Sequence, residues 1–105
     1  MAGEIVVLVT VESHEEGEKI ADHLVAERLA ACVNILGPIR SVYRWEGAVR
    51  RDTEHLLIIK STRRCYADLE ARVRQLHSYQ IPEVIALSID VGSATYLSWL
   101  RASTS

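Results

Sequence analysis

Arg28-Leu-Ala-Ala-Cys-Val-Asn-Ile-Leu-Gly-Pro-Ile-Arg-Ser-Val-Tyr-Arg44, followed by Trp45-Glu46-Gly47, carries the end of a helix and the whole of a long strand. The pattern predicts a strand from Val33 to about Ala48, bent at Gly37-Pro38. Val42, Arg44 and Glu46 fall on one of its faces, and Tyr43, Trp45 and Gly47 on the other, because strand side chains alternate. Cys32 stands where the chain passes from helix to strand. Gly47 to Arg51 reads as a hairpin connection to a next strand over Thr53–Ser61, whose centre Leu56-Leu-Ile-Ile59 is apolar on both parities.

Upstream, Ile5-Val-Val-Leu-Val-Thr-Val11 is β-branched and apolar on both parities, the mark of a strand buried on two faces. Ser13 with Glu16 three residues on forms a capping box. The helix it opens is predicted from about His14 to Ala31, with Ile20, Leu24 and Ala31, flanked by Ala21, Val25 and Leu29, as its inner stripe. Downstream, a second helix starts near Thr62 or Arg63. Its Tyr66, Leu69, Val73 and Leu76 follow helical spacing, with Asp68 and Arg72 four apart on the outer face. The loop His77-Ser-Tyr-Gln-Ile-Pro-Glu83 leads to a last strand, Val84–Val91. Ser93 caps a short helix bearing Tyr96, Leu97, Trp99 and Leu100.

The order β-α-β-β-α-β plus a terminal helix predicts an α+β, ferredoxin-like sandwich, a single domain over residues 1–105. Two long helices cover one face of such a sheet, yet three of its strands are apolar on both. Leaving the second face in water exposes a patch larger than monomers tolerate. Hiding it is worth roughly ten kcal/mol before association costs. An obligate homo-oligomer with sheets facing one another is therefore expected. The plainer alternative is that the terminal helix covers this face.

Composition is that of one soluble globular domain: 105 residues, 49% apolar and 25% charged, with a formal net charge of −2. Disorder is expected only in the Ser-Thr tail after Arg101. The charge excludes a broad nucleic-acid footprint, and the pairs Arg50-Arg51 and Arg63-Arg64 make no basic stripe. No apolar run reaches the ~18 residues of a membrane span, and no signal peptide is apparent. Two cysteines, Cys32 and Cys65, form neither a disulfide framework nor a zinc motif. The cytosol is the expected location. No triad, HExxH or P-loop is present, so no enzyme is expected and no organic cofactor is implied.

Five blocks, in this order and spacing, resemble the CutA divalent-cation-tolerance proteins over nearly the whole chain. They are Arg28–Ile35, Ser41–Gly47, Glu54 ahead of Leu56–Lys60, His77–Glu83 and Tyr96–Trp99. The resemblance implies a homotrimer of ferredoxin-like subunits packed sheet to sheet, similar in architecture to the PII signalling proteins. It also implies an association with copper or another divalent metal ion. Three departures stand out. Ser78 replaces a usual Pro and is expected to loosen the loop by freeing φ. Val9 and Leu76 stand where some bacterial members have a Cys and a second His, both proposed metal-ligand positions.

His77 and Cys32 are the metal-ligand candidates: imidazole is the commonest ligand near neutral pH, and thiolate suits Cu(I) or zinc. The plainer readings are a helix C-terminal histidine bonded to the last carbonyls and a small buried thiol. Tyr43, Trp45, Glu54, Lys60, Tyr79 and Glu83 are candidates for a cleft, between subunits, that takes a small polar ligand. Their plainer role is to fix the interface by packing. His14 and His23 read as decoration of a solvated helix face. His55 alternates in parity with Glu54 and cannot chelate with it from one face. Cys65 lies in the first turn of the second helix, where the dipole favours a thiolate; an incidental role is the plainer reading. Three functions compete: a divalent-metal binder, a small-molecule sensor or signalling trimer, and a stable scaffold without ligand.

Overall fold

The computed structural model describes residues 3–105. In chain order the elements are β1 (Glu4–Val11), α1 (His14–Ala26), β2 (Cys32–Trp45), β3 (Ala48–Thr62), α2 (Arg63–Leu76), β4 (Val84–Ser88) and α3 (Ala94–Ala102). The four strands form one sheet in the order β2-β3-β1-β4, and every neighbouring pair is antiparallel. β3 thus lies between β1 and β2, and β1 between β3 and β4. The α+β layout expected from the sequence is the one observed.

α1 and α2 cover one face of the sheet. Ile5, Val7, Val9 and Val11 of β1 and Leu57 and Ile59 of β3 point into that layer. Ile20 and Leu24 of α1 and Leu69 and Val73 of α2 meet them, and all ten are essentially inaccessible to solvent. Gly17 lets α1 approach: a Cβ there would lie 3.1 Å from Leu57 Cδ2 and 3.4 Å from Val11 Cγ2. Arg72 of α2 reaches Glu27, just past α1, in a two-pronged ion pair, so it does not serve Asp68 as its spacing suggests.

Four boundaries differ from the pattern reading. α1 ends at Ala26, not Ala31, because Arg28 turns to φ 61° and the Leu29 and Ala30 N–H groups both donate to Leu24 O. Leu29 and Ala30 reach the core through this turn, whereas Val25 is exposed. The hairpin turn is only Glu46-Gly47, with φ 51° and 79°, the two left-handed residues that a tight hairpin requires. Ala48–Arg51 are consequently strand, with Ala48 opposite Trp45. β4 stops at Ser88 rather than Val91, and Ile89 N–H makes the last bond, to Glu4 O. The tail after Arg101 is docked, not disordered: Thr104 is buried and Ser105 N–H donates to Arg28 O.

The opposite face carries Val6 and Leu8 of β1, Leu56 and Ile58 of β3, and Ile85 and Leu87 of β4. α3 buries Leu100 and ties Arg101 to Glu4 at 2.9 Å, near the start of β1. It does not close this face, since Ile85 and Leu87 remain 50% and 55% exposed. Past a register shift between Leu36 and Ile39, the β2–β3 hairpin runs on as an arm, which accounts for the 44 × 25 × 22 Å extents. Val42 and Val49 on the arm are 63% and 50% exposed.

Candidate functional site

His77 sits where α2 ends, its N–H still bonded to Val73 O. Its side chain is fully buried. Nε2 lies 2.7 Å from Thr10 O, which can only accept, so Nε2 carries the hydrogen and donates. Nδ1 accepts from Tyr79 N–H at 3.0 Å. Both nitrogens of a neutral imidazole are thus committed, and they clamp the loop 77–83 to the end of β1.

Ser78 tightens that clamp. Its N–H donates to Glu16 Oε2 at 2.7 Å, and its hydroxyl donates to Glu12 and Glu16 carboxylates at 3.1 Å each. The expected loosening is therefore reversed, because the N–H that proline lacks is the group Glu16 binds. This also divides the capping box. Ser13 Oγ accepts from Glu16 N–H at 3.1 Å, while the Glu16 carboxylate serves the loop instead of the helix start.

The clamped loop delivers Tyr79 around the sheet end to the face opposite the helices. Its ring packs on His77 at 4.7 Å between centroids. Its hydroxyl donates to Glu54 Oε2 at 2.6 Å, and Glu54 is left only 7% exposed. Burial first, then the bond to Glu54 and that carboxylate's charge, push the Tyr79 phenol well above its ordinary range. On the hairpin arm Tyr43 donates to Asp52, and this bond is the main cause that raises its own phenol. Both tyrosines stay protonated donors at neutral pH.

Tyr43, Trp45, Glu54, Tyr79 and Glu83 line one cleft of about 460 Å³, as the sequence pattern suggested. Thr10, Ser78, Gln80 and Ile81 complete it. None of these lining residues is basic. Lys60 is not among them. It lies six residues along β3, opposite Cys32 and Val6, with its Nζ on Asn34 Oδ1. Cys32 is half-buried at that far end, its Sγ 3.9 Å from Asn34 Oδ1. Thr10 and Val6 are four residues apart, so His77 and Cys32 are separated by about 14 Å of strand. Among the described residues, no three His, Cys, Asp or Glu side chains stand ready to hold a metal ion. The donor set expected for copper is thus not assembled within one chain. Cys65 is buried and donates to Ser105 O at 2.9 Å.

The match to known proteins decides the lineage. Residues 5–103 fit the family described as CutA1 divalent ion tolerance protein. The chain belongs to the CutA1 family. It is 50% identical to the divalent-cation tolerance protein CutA of Thermus thermophilus over 101 residues, 96% of this chain and 98% of that one. The solved Thermus structure superposes with a TM-score of 0.96, covering 97% of this chain and 99% of that one. The periplasmic divalent cation tolerance protein CutA of Archaeoglobus fulgidus gives a TM-score of 0.93 at 36% identity, covering 95% and 97% of the two chains. The chloroplastic CutA protein of Arabidopsis thaliana is 53% identical over 100 residues, 95% of this chain but 55% of the plant protein. Within this CutA1 chain the cleft and its clamp are built from the blocks Ser41–Gly47, Glu54 and His77–Glu83 that first suggested the family. Glu12, Glu16 and Thr10 complete the clamp and lie outside those blocks.

Proposed function

We propose that this CutA1-family chain acts as a homotrimer of ferredoxin-like subunits that binds a small cation in the Glu54–Tyr79 cleft. The observation that carries the reading is Glu54: a nearly buried carboxylate, oriented by Tyr79, in a cleft without a basic residue. Burying such a charge is costly unless it is paired. Tyr43 and Trp45 beside it offer ring faces that favour a cation. The trimer is supported by the apolar face that α3 leaves open and by the family resemblance. The antiparallel order β2-β3-β1-β4 supports the ferredoxin-like assignment.

The cation is either a hydrated divalent ion, in keeping with the tolerance named for the relatives, or a small organic ammonium. Direct copper binding by His77 and Cys32 is the weaker proposal, because it needs a neighbouring subunit to bring the two together. The role proposed is binding rather than catalysis. The cytosol is the compartment proposed, and the two free cysteines suit a reducing one.

Calorimetric titration of metal-free protein with magnesium, zinc, copper and tetramethylammonium separates the two cation classes. Saturable binding by one class is expected, weakened about tenfold or more in Glu54→Gln, a loss of ~1.4 kcal/mol or greater. Equal affinity in the variant for every probe that binds contradicts the reading.

A further inference from the structure

Glu54 is nearly buried, and Tyr79 is the side chain that donates to it, at Oε2. Among the described residues no Lys, Arg or His pairs with Glu54, and its Oε1 takes no hydrogen bond. The same cleft carries a second carboxylate, Glu83, which is exposed and also without an ion pair among the described residues. Glu12 and Glu16, both bonded to the Ser78 hydroxyl, add negative charge beside the lining.

The rest of the lining suits hydrocarbon better than a metal ion. Hard divalent ions take about six oxygen ligands, whereas Tyr43, Trp45 and Ile81 present ring faces and an aliphatic side chain. Ile81 is 69% exposed in the single chain, an apolar surface open to a ligand's own methylenes. A primary ammonium is favoured by a carboxylate and by a ring face alike. A cleft of about 460 Å³ has the size of a small-molecule site and is far larger than one ammonium group fills.

We propose, resting on the cleft reading above, that the ligand is a linear diamine or polyamine. One primary ammonium pairs with Glu54 and a second with Glu83, and the methylene chain between them lies on Trp45 and Ile81. Two separated positive charges match two separated carboxylates. A hydrated divalent ion concentrates both charges at one point, and a monoamine leaves Glu83 unused. Alkylamines, like the lysine side chain, stay protonated at neutral pH, and no basic residue of the lining competes for either carboxylate.

The test is a calorimetric titration of the full chain with butylamine, with tetramethylammonium, and with a series of unbranched diamines of three to six methylenes. Affinity is expected to peak at one chain length and there to exceed that of butylamine about tenfold or more. In Glu83→Gln that preference collapses to near one. Glu83 is exposed, so this variant keeps the fold. Diamines no tighter than butylamine at any length, a preference unchanged in Glu83→Gln, or no amine binding up to about 10 mM overturns the proposal. Tetramethylammonium or magnesium that binds and is weakened by Glu54→Gln, with no gain for the diamines, sinks this inference and leaves the cleft reading standing. Where Glu54→Gln weakens no probe that binds, the cleft reading fails and takes the diamine with it.

Discussion

Ile58→Asp is expected to break the assembly into single chains. Ile58 lies mid-sheet on β3, between Leu8 of β1 and Asn34 of β2, on the face the helices leave open. Within one chain it is half-buried, so an Asp there can still reach water and the subunit can still fold. In the proposed trimer the same position is shut against a neighbouring sheet. An unpaired carboxylate buried there costs several kcal/mol, enough to overturn an association driven by apolar area. Sedimentation velocity is expected to give about three times the 11.8 kDa chain mass for the wild type and a single-chain mass for the variant. Retained far-UV circular dichroism shows that the variant is dissociated rather than unfolded. A folded variant with the wild-type mass contradicts the open-face interface.

His77→Ala is expected to cost about 2–5 kcal/mol, read as a shift of the urea midpoint. The imidazole is fully enclosed and bonds two backbone groups, Thr10 O and Tyr79 N–H. Alanine leaves both without their partner and opens a cavity where the ring packed on Tyr79. The loss runs on to the cleft, since Tyr79 no longer holds Glu54 from a fixed backbone. A midpoint within experimental error of the wild type would mean that the loop 77–83 is held by Ser78 and its two glutamates alone.

The sequence made the layered fold legible because its signals are periodic. The two-sided β1, the helical stripe of Leu69 and Val73, and the hairpin glycine each follow from local rules. Boundaries failed where a local rule has two outcomes. Leu29 and Ala30 continue the apolar spacing of α1, but a turn at Arg28 buries them equally well. The hairpin expected over Gly47–Arg51 begins one residue late, because Glu rarely accepts a left-handed backbone, and Ala48–Arg51 prove to be strand.

The cleft was partly legible. Tyr43, Trp45 and Glu54 share a sheet face by parity alone, and the resemblance supplied the loop residues. Lys60 shares that parity too, and only its distance along β3 removes it. The clamp was not legible in the pairing of Glu16 with Ser78, since the two are 62 residues apart and Glu16 already had a local explanation as a cap. The contact of His14 with His55 is hidden in the same way, because the two rings meet across elements 41 residues apart in sequence.

The most direct test of the cation cleft is the emission of Trp45. The chain has two tryptophans, so Trp99→Phe leaves Trp45, which lines the cleft, as the only one. Titration with the cation that binds in calorimetry is expected to shift or quench its emission saturably, at the calorimetric midpoint. Adding Glu54→Gln abolishes that response. Emission that stays flat through saturation, or responds equally with Gln at position 54, contradicts the cleft as the binding site.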